Sequence, residues 1–192
     1  MKYVKEQFNE TFEEKKSKFI AYLFPYKDFD KEMKRLKEEH PKARHHVYAY
    51  RYLNDFEQIV ENSSDDGEPK GTSGKPSLNV LAGHELINTA VIIVRYFGGI
   101  KLGTGGLVRA YSDAVNKVIE KSILFSYEKL LKKFINCEYS DLSKVEYLLN
   151  QNEIEIINKE FTTSINLILE ATEEKFLKLQ EQLPRNIVIN NY

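Results

Sequence analysis

The chain has 192 residues, of which 42% are hydrophobic, 12% aromatic and 30% charged, and its formal net charge is −1. This composition predicts one large or two small globular domains and argues against a disordered chain. The longest apolar run, residues 90–94, is far short of the ~20 residues of a membrane span, and the amino-terminal segment lacks the apolar stretch of a signal peptide. With a single cysteine, Cys137, no disulfide can form within the chain, so we expect a cytoplasmic protein with no membrane contact.

Residues 1–125 are expected to form an α/β domain. Its elements in chain order are a buried strand at 19–25, a helix from Phe29 that ends before Pro41, a strand at 46–53, a short helix from Pro76 to about Gly83, and a central strand at 89–96. After Gly106, apolar residues recur at i, i+3, i+4, i+7 and i+8 starting from Leu107, which predicts a long amphipathic helix.

Beyond residue 122 the chain has no glycine and few aromatic residues, so we expect a second domain at 130–192. The pattern predicts a strand at 131–139, a helix capped by Asp141, strands at 153–159 and 162–170, a helix capped by Thr172, and a last strand at 185–190. The order βαββαβ is that of a ferredoxin-like domain, and the whole chain is therefore predicted to be α+β with two domains.

All nine glycines lie between Gly67 and Gly106, and all but Gly83 fall in two blocks at 64–77 and 95–114. Glycine is needed where the backbone takes a positive φ or lies close to another group, so we expect the two blocks to form a surface where backbone meets a partner. Residues 54–69 carry six acidic and no basic residues, whereas residues 86–112 carry Arg95, Lys101 and Arg109 and no acidic ones. An acidic loop, which is either a contact surface or a solvated face, thus precedes a basic one.

Neither glycine block matches a nucleotide-binding motif. A P-loop at Gly74-Lys75 lacks its first glycine, replaced by Pro69, and its Ser/Thr, replaced by Pro76. In the second block, Val108 stands where a dinucleotide fingerprint has its last glycine. The second block still precedes a helix N-terminus, which favours anions, with Lys101 adding charge and Thr104 a hydroxyl; the alternative is a purely structural tight loop.

The side chains around this loop leave further alternatives open. Arg95 and Arg109 either contact a partner or pair with an internal carboxylate such as Asp65 or Asp66, and Arg109 is expected in the first helical turn. Tyr96 and Phe97 either stack on nucleic-acid bases or belong to the core.

The acidic stretch also contains a DDGE sequence, residues 65–68, that could hold Mg²⁺ together with His45 or His46. The spacing matches no calcium loop, and two adjacent histidines in a strand point to opposite faces. We therefore expect no metal, no cofactor and no catalytic residue.

Five stretches together resemble the YigZ/IMPACT family: residues 43–50, 64–69, 71–76, 95–99 and 101–111. Ser73 departs from the family pattern, which usually has alanine there. The resemblance implies an N-terminal domain with the fold of elongation factor G domain IV and the GHMP-type kinases, followed by a ferredoxin-like domain. It also implies an association with translation.

The leading hypothesis is a non-enzymatic protein that binds RNA or the ribosome. The expected anion and nucleic-acid contacts are Arg95, Tyr96, Phe97, Gly98, Gly99, Lys101, Gly103, Thr104, Gly105, Gly106 and Arg109. A second expected partner surface consists of Arg44, His45, His46, Asp65, Asp66, Gly67, Glu68, Gly71, Thr72 and Lys75. The alternatives are a Mg²⁺-dependent phosphoryl-transfer or hydrolytic enzyme and a protein–protein regulatory module; the oligomeric state is left open.

Overall fold

The computed structural model describes residues 1–192, which divide into two compact units, Met1–Tyr127 and Glu128–Tyr192. The chain is α+β with two domains, as predicted. None of its helices combines the length and the apolar character that a membrane crossing requires.

The N-terminal unit is built on a five-stranded antiparallel sheet with strand order β2-β3-β6-β4-β5. Its elements are β1 (Lys2–Tyr3), β2 (Phe8–Glu14), β3 (Ser17–Pro25), α1 (Phe29–Glu39), β4 (His45–Leu53), β5 (Ile59–Ser64), α2 (Gly74–Gly83), β6 (Thr89–Tyr96), α3 (Gly103–Lys121) and β7 (Phe125–Ser126).

The central strand β6 is apolar on both faces because helices cover both faces of the sheet. Val91 and Ile93 pack in one core cluster with residues of α2 and α3, whereas Ala90, Ile92 and Val94 pack in a separate cluster with α1. The apolar stripe of α3 predicted from Leu107 onward is buried in the first cluster.

Two features of this unit differ from expectation. The long helix begins at Gly103, not after Gly106, so Gly103, Gly105 and Gly106 lie in its first turns. Leu102 and Leu107 both pack on the core, and this tertiary anchoring overrides the low helix propensity of glycine. Strand β5 lies inside the acidic stretch that was expected to be a loop; it is a largely exposed edge strand and therefore lacks an apolar signal.

The C-terminal unit has the ferredoxin-like topology, with four antiparallel strands in the order β11-β8-β10-β9. Its elements are β8 (Leu131–Cys137), α4 (Leu142–Gln151), β9 (Glu155–Phe161), β10 (Ile165–Ala171), α5 (Glu173–Gln182) and β11 (Asn190–Asn191).

The expected caps and last strand of this unit are partly corrected. Thr172 caps α5 by accepting a hydrogen bond from the Lys175 N–H (3.4 Å), as predicted. Asp141 occupies the N-cap position of α4, but its carboxylate accepts from the Asn186 side chain instead of from the helix. The last strand is confined to Asn190–Asn191, because the preceding segment turns to bury Ile187 in the core.

Candidate anion-binding surface at the second glycine block

The end of β6 carries the first group of candidate residues. Strand register sets Phe19, Arg95 and His45 side by side across β3, β6 and β4. Cross-strand partners share a face of the sheet, so Arg95 lies on the same face as buried Phe19 and is itself only 7% exposed. Arg95 is therefore inside the domain, although it directly precedes an exposed loop.

Arg95 is neutralised within the chain by an acidic residue of the first glycine block. Its Nη1 donates to Glu68 Oε1 (2.5 Å), and the Tyr111 hydroxyl donates to the same oxygen (2.8 Å). His45 Nε2 lies 3.9 Å from that oxygen. Burial, followed by the charge of Glu68, raises the pKa of Tyr111 far above its ordinary range, so the hydroxyl stays a donor. Of the two open alternatives for Arg95, the internal carboxylate is the observed one, but the partner is Glu68 and not Asp65 or Asp66.

The other two carboxylates of the DDGE sequence are also bound internally. Asp65 accepts hydrogen bonds from the backbone N–H groups of Gly71 (2.7 Å), Ser73 (3.0 Å) and Gly74 (2.8 Å) and from the Ser73 hydroxyl (2.7 Å). Burial raises the pKa of Asp65, but these hydrogen bonds outweigh burial and the net shift is downward. Asp66 Oδ2 accepts from the His46 N–H (2.6 Å).

The expected partner surface is consequently divided between interior and exterior. Glu68, Thr72 and His46 are buried, and burial lowers the pKa of His46. Asp65 and His45 are half-buried. The exposed members are Arg44, Asp66, Gly67, Gly71 and Lys75.

The N-terminus of α3 is open, in contrast to that of α2. Leu102 occupies its N-cap position, so no side chain accepts from the first helical N–H groups, and the first turn has no acidic residue. Gly103, Thr104 and Gly105 are exposed there. These N–H groups and the helix dipole give the end of this 19-residue helix a partial positive charge.

The two aromatic residues that precede the loop point to different environments. Tyr96 packs with the α1-side cluster, and its hydroxyl lies 3.0 Å from His40 Nδ1. Phe97 is 55% exposed, and its ring centroid lies 5.7 Å from Cζ of Arg95. Phe97 is therefore the aromatic side chain of the pair that is available to a ligand, with the buried Arg95 guanidinium packed against its ring.

The tip of the β2–β3 hairpin lies against the glycine loop, a contact that the sequence pattern did not predict. The Gly98 N–H donates to Ser17 Oγ (3.1 Å), and a Cβ on Gly98 would overlap the carbonyl carbon of Lys16. Lys15 and Lys16 form the two-residue turn at this tip, both with positive φ (47° and 65°). The adjacent lysines are visible in the sequence, but they can be identified as a hairpin turn only if residues 8–14 are first recognised as strand β2.

Docking of the hairpin brings exposed cations from two parts of the chain to one surface. Lys15, Lys16, Lys101 and Arg109 are exposed, and none forms an ion pair within the chain. Lys15 and Arg109 line a groove of about 270 Å³ beside α3, together with Glu14 and Asp113, so the groove itself is electrically balanced. Arg109 is the seventh residue of α3, not a first-turn residue as expected. The cationic part of the surface is thus the hairpin tip with residues 99–105.

No group of three or more His, Cys, Asp or Glu side chains is arranged to hold a metal ion. The carboxylates proposed for Mg²⁺, those of Asp65, Asp66 and Glu68, bind backbone N–H groups, Arg95 and Tyr111 instead.

Comparison with known proteins matches both units. The Impact N-terminal domain matches residues 15–119, and a domain of unknown function (DUF1949) matches residues 135–185. An IMPACT family member of Haemophilus influenzae is 40% identical over 181 residues, covering 90% of this chain and 86% of that protein. The IMPACT family member YigZ of Escherichia coli is 36% identical over 174 residues, covering 88% and 84%. A crystal structure described as that of a hypothetical protein superposes with a TM-score of 0.68 at 31% identity and covers 100% of this chain and 96% of its own.

Proposed function

Because the chain belongs to the IMPACT family, we propose that it is a translation-associated protein of the cytoplasm that binds RNA, free or in the ribosome, without catalysing a reaction. The link to translation is carried over from the family resemblance. The observation that carries RNA binding is the open N-terminus of α3 beside three exposed lysines, Lys15, Lys16 and Lys101, none of which forms an ion pair. We call the hairpin tip (Lys15 and Lys16) with residues 97–105 the basic glycine surface.

Phosphate is the part of RNA that fits this surface best. The free N–H groups at Gly103, Thr104 and Gly105 are donors for a phosphate oxygen, and the helix dipole favours its negative charge. Lys16 and Lys101 add charge that the protein does not neutralise elsewhere. Gly99 and Gly103 have φ angles of 88° and 73°, which favour glycine, and because they lack a Cβ the backbone there stays accessible.

Phe97 supplies a base-stacking surface next to this phosphate site. Stacking of a base on an aromatic side chain contributes about 1–3 kcal/mol and does not require a particular base. Arg95 acts as a positioning residue: it packs against the Phe97 ring while Glu68 holds its guanidinium inside the domain.

The proposal is tested by fluorescence anisotropy of a labelled structured RNA at several salt concentrations. The variant Lys16→Gln/Lys101→Gln should bind more weakly with all RNA sequences, and the slope of log K against log salt should fall by about one for each phosphate that is no longer neutralised. The matched control is Lys31→Gln/Lys34→Gln, which removes the same charge from the exposed side of α1. Phe97→Leu should weaken binding without changing the salt slope.

Arg95 should not be included among the binding variants, because its removal leaves the buried Glu68 carboxylate without a counter-charge and destabilises the fold. The absence of RNA binding at low salt, or equal affinities of the Lys16/Lys101 variant and its control, would overturn the proposal. The phosphoryl-transfer alternative receives no support from the site, because each carboxylate it needs is already bound within the chain.

A further inference from the structure

A second concave site lies in the N-terminal unit, built from parts of the chain that the basic glycine surface does not use. It is a cavity of about 610 Å³, within the range of small-molecule sites. The amino-terminal segment, the end of β3 and the end of β4 each contribute to it. None of its lining residues belongs to the glycine blocks.

The floor and walls of this cavity are apolar and aromatic. Its lining includes buried Val4 and Pro25 and the half-buried side chains of Tyr3, Tyr26 and Tyr52. Tyr26 and Tyr52 stack with ring centroids 4.1 Å apart and only 2° between their planes. Burial, followed by a hydrogen bond to Tyr52, raises the pKa of Tyr26 to about 12.

Hydrogen bonds connect the chain segments that line the cavity. Asn88 accepts from the Tyr26 N–H on its backbone carbonyl (2.8 Å) and from the Leu53 N–H on its side-chain oxygen (3.0 Å). The amino-terminal wall is fixed in the same way, because Lys2 exchanges hydrogen bonds with Glu85 and Ile87. The walls are therefore set by the fold before any ligand is present.

The charged residues that line the cavity are both lysines, and Asp30 is the acidic residue that acts on the lining, where its charge contributes to the raised pKa of Tyr26. Lys5 and Lys27 line it and are exposed, no acidic residue lines it, and neither lysine forms an ion pair. Lys5 Nζ lies 4.2 Å from the centroid of the Phe125 ring, which holds the ammonium group at this edge of the domain. A cavity lined by aromatic rings and by two lysines without ion pairs favours a ligand with a planar ring and a negative charge.

We propose that this cavity, the tyrosine cavity, binds a nucleoside phosphate, with the base against Tyr26 and Tyr52 and the phosphate on Lys5 and Lys27. The same chemistry is offered by a free nucleotide and by the terminal nucleotide of an RNA strand. The inference does not depend on the RNA-binding function proposed above, since the two sites share no residue.

The test is isothermal titration of the full chain with the four ribonucleoside 5′-diphosphates, with inorganic pyrophosphate, and with a short RNA that carries a 5′-phosphate. We expect saturable binding of a nucleotide, weakened at least tenfold in Lys5→Gln/Lys27→Gln and in Tyr52→Leu. The variants Lys31→Gln/Lys34→Gln and Lys16→Gln/Lys101→Gln should bind the nucleotides as the unaltered protein does. A thermal melt of each variant identifies any that no longer fold. Tyr52→Phe is the control for Tyr52→Leu, because it keeps the aromatic ring and should retain binding.

The two sources are separated by comparing the ligands: a free-nucleotide site favours the mononucleotide, and an RNA-end site favours the phosphorylated oligomer, again with weaker binding in the Lys5/Lys27 variant. Three outcomes overturn the proposal: no binding of any nucleotide or RNA end at millimolar concentration, pyrophosphate binding as tightly as the nucleotides, or unchanged affinity in Lys5→Gln/Lys27→Gln. If the structured RNA of the anisotropy test binds more weakly only in the Lys16/Lys101 variant, and nucleotides bind more weakly only in the Lys5/Lys27 variant, the two proposals stand separately. Failure of either one leaves the other unaffected.

Discussion

Each of the two glycine blocks leads into a helix, but a carboxylate binds the N-terminus of the first helix and no acidic residue lies at the N-terminus of the second. At α2, the carboxylate of Asp65 accepts hydrogen bonds from the Ser73 and Gly74 N–H groups, so an anion from the chain itself already occupies the position. At α3, no side chain accepts from the first turn and no acidic residue lies in it. The first block supplies its own anion, whereas the donors that follow the second block have no side-chain acceptor.

The charged side chains divide in the same way. The acidic residues of the first block are bound within the chain: Glu68 accepts from Arg95 and Tyr111, and Asp66 accepts from the His46 N–H. The basic residues of the second block, apart from Arg95, remain exposed and unpaired. A charge-rich glycine segment is therefore not by itself a binding surface. What matters is whether the fold brings counter-charges to it.

The largest effect should come from breaking the buried pair that joins the two blocks. Arg95→Ala leaves the Glu68 carboxylate buried without its cation, and we expect a loss of about 3–5 kcal/mol in the free energy of unfolding, measured by urea denaturation. Arg109→Ala removes an exposed arginine without an ion pair and should change it by less than about 0.5 kcal/mol. Equal losses in the two variants would contradict the difference between the blocks.

The next effect concerns the carboxylate that fills the α2 N-terminus. Asp65→Ala should lower the free energy of unfolding by about 2–3 kcal/mol, because a charged acceptor of several N–H groups is lost. The pKa of Asp65 is lowered in the folded state, so its stabilisation is present above the ordinary aspartate pKa and is lost as the pH falls through the lowered value. Urea midpoints measured between neutral pH and about pH 2 should therefore fall less steeply in Asp65→Ala than in the exposed control Asp55→Ala.

A matched pair of glycines compares the first turns of the two helices directly. A Cβ on Gly74 would lie 2.7 Å from the Ser64 carbonyl carbon, so Gly74→Ala should destabilise the domain by about 1–3 kcal/mol. A Cβ on Gly105 meets nothing within 4 Å, and Gly105→Ala should be neutral or stabilising by up to about 1 kcal/mol. Thermal melts of the two variants distinguish these outcomes, and destabilisation by Gly105→Ala would mean that the α3 turn is more tightly enclosed than its geometry indicates.

The smallest expected effect is that of one substitution, Thr104→Glu, which should raise the stability of the domain but lower its affinity for RNA. Thr104→Glu places a negative charge in the acid-free first turn of α3 and should stabilise the domain by about 0.3–1 kcal/mol. The same charge should repel phosphate and weaken RNA binding, as anisotropy would measure. Thr104→Gln, similar in size but uncharged, is the control. If Thr104→Glu bound RNA as tightly as the control, phosphate would not lie at this helix end.

Much of the architecture could be predicted from local patterns. Strand β6 is apolar at nearly every position and α3 has an unbroken apolar stripe, so both elements, and the residues that each buries, could be identified from the sequence. The alternation of helix and strand signals after residue 130 likewise gave the ferredoxin-like order. These patterns are strong because each reflects burial of a whole face, which recurs with the period of the element.

Elements whose faces are exposed were the ones that the pattern missed. Strands β2 and β5 are the two edges of the sheet and carry mixed polar residues, so neither has a strong period. The start of α3 was placed too late because glycine lowers helix propensity locally, whereas Leu102 and Leu107 anchor the turn from the core.

The sequence by itself determined that glycine and positive charge come together near residues 95–109 and that a helix follows them. Only the tertiary structure decided which of those charges is available. Arg95 and Glu68 are 27 residues apart, and their pairing depends on strand register and on the path of the first glycine block. Likewise, Lys16 joins the basic glycine surface only because Gly98 packs against the hairpin tip. Pairing of charges is a contact between distant segments, and no local pattern of residue types encodes which segments will meet.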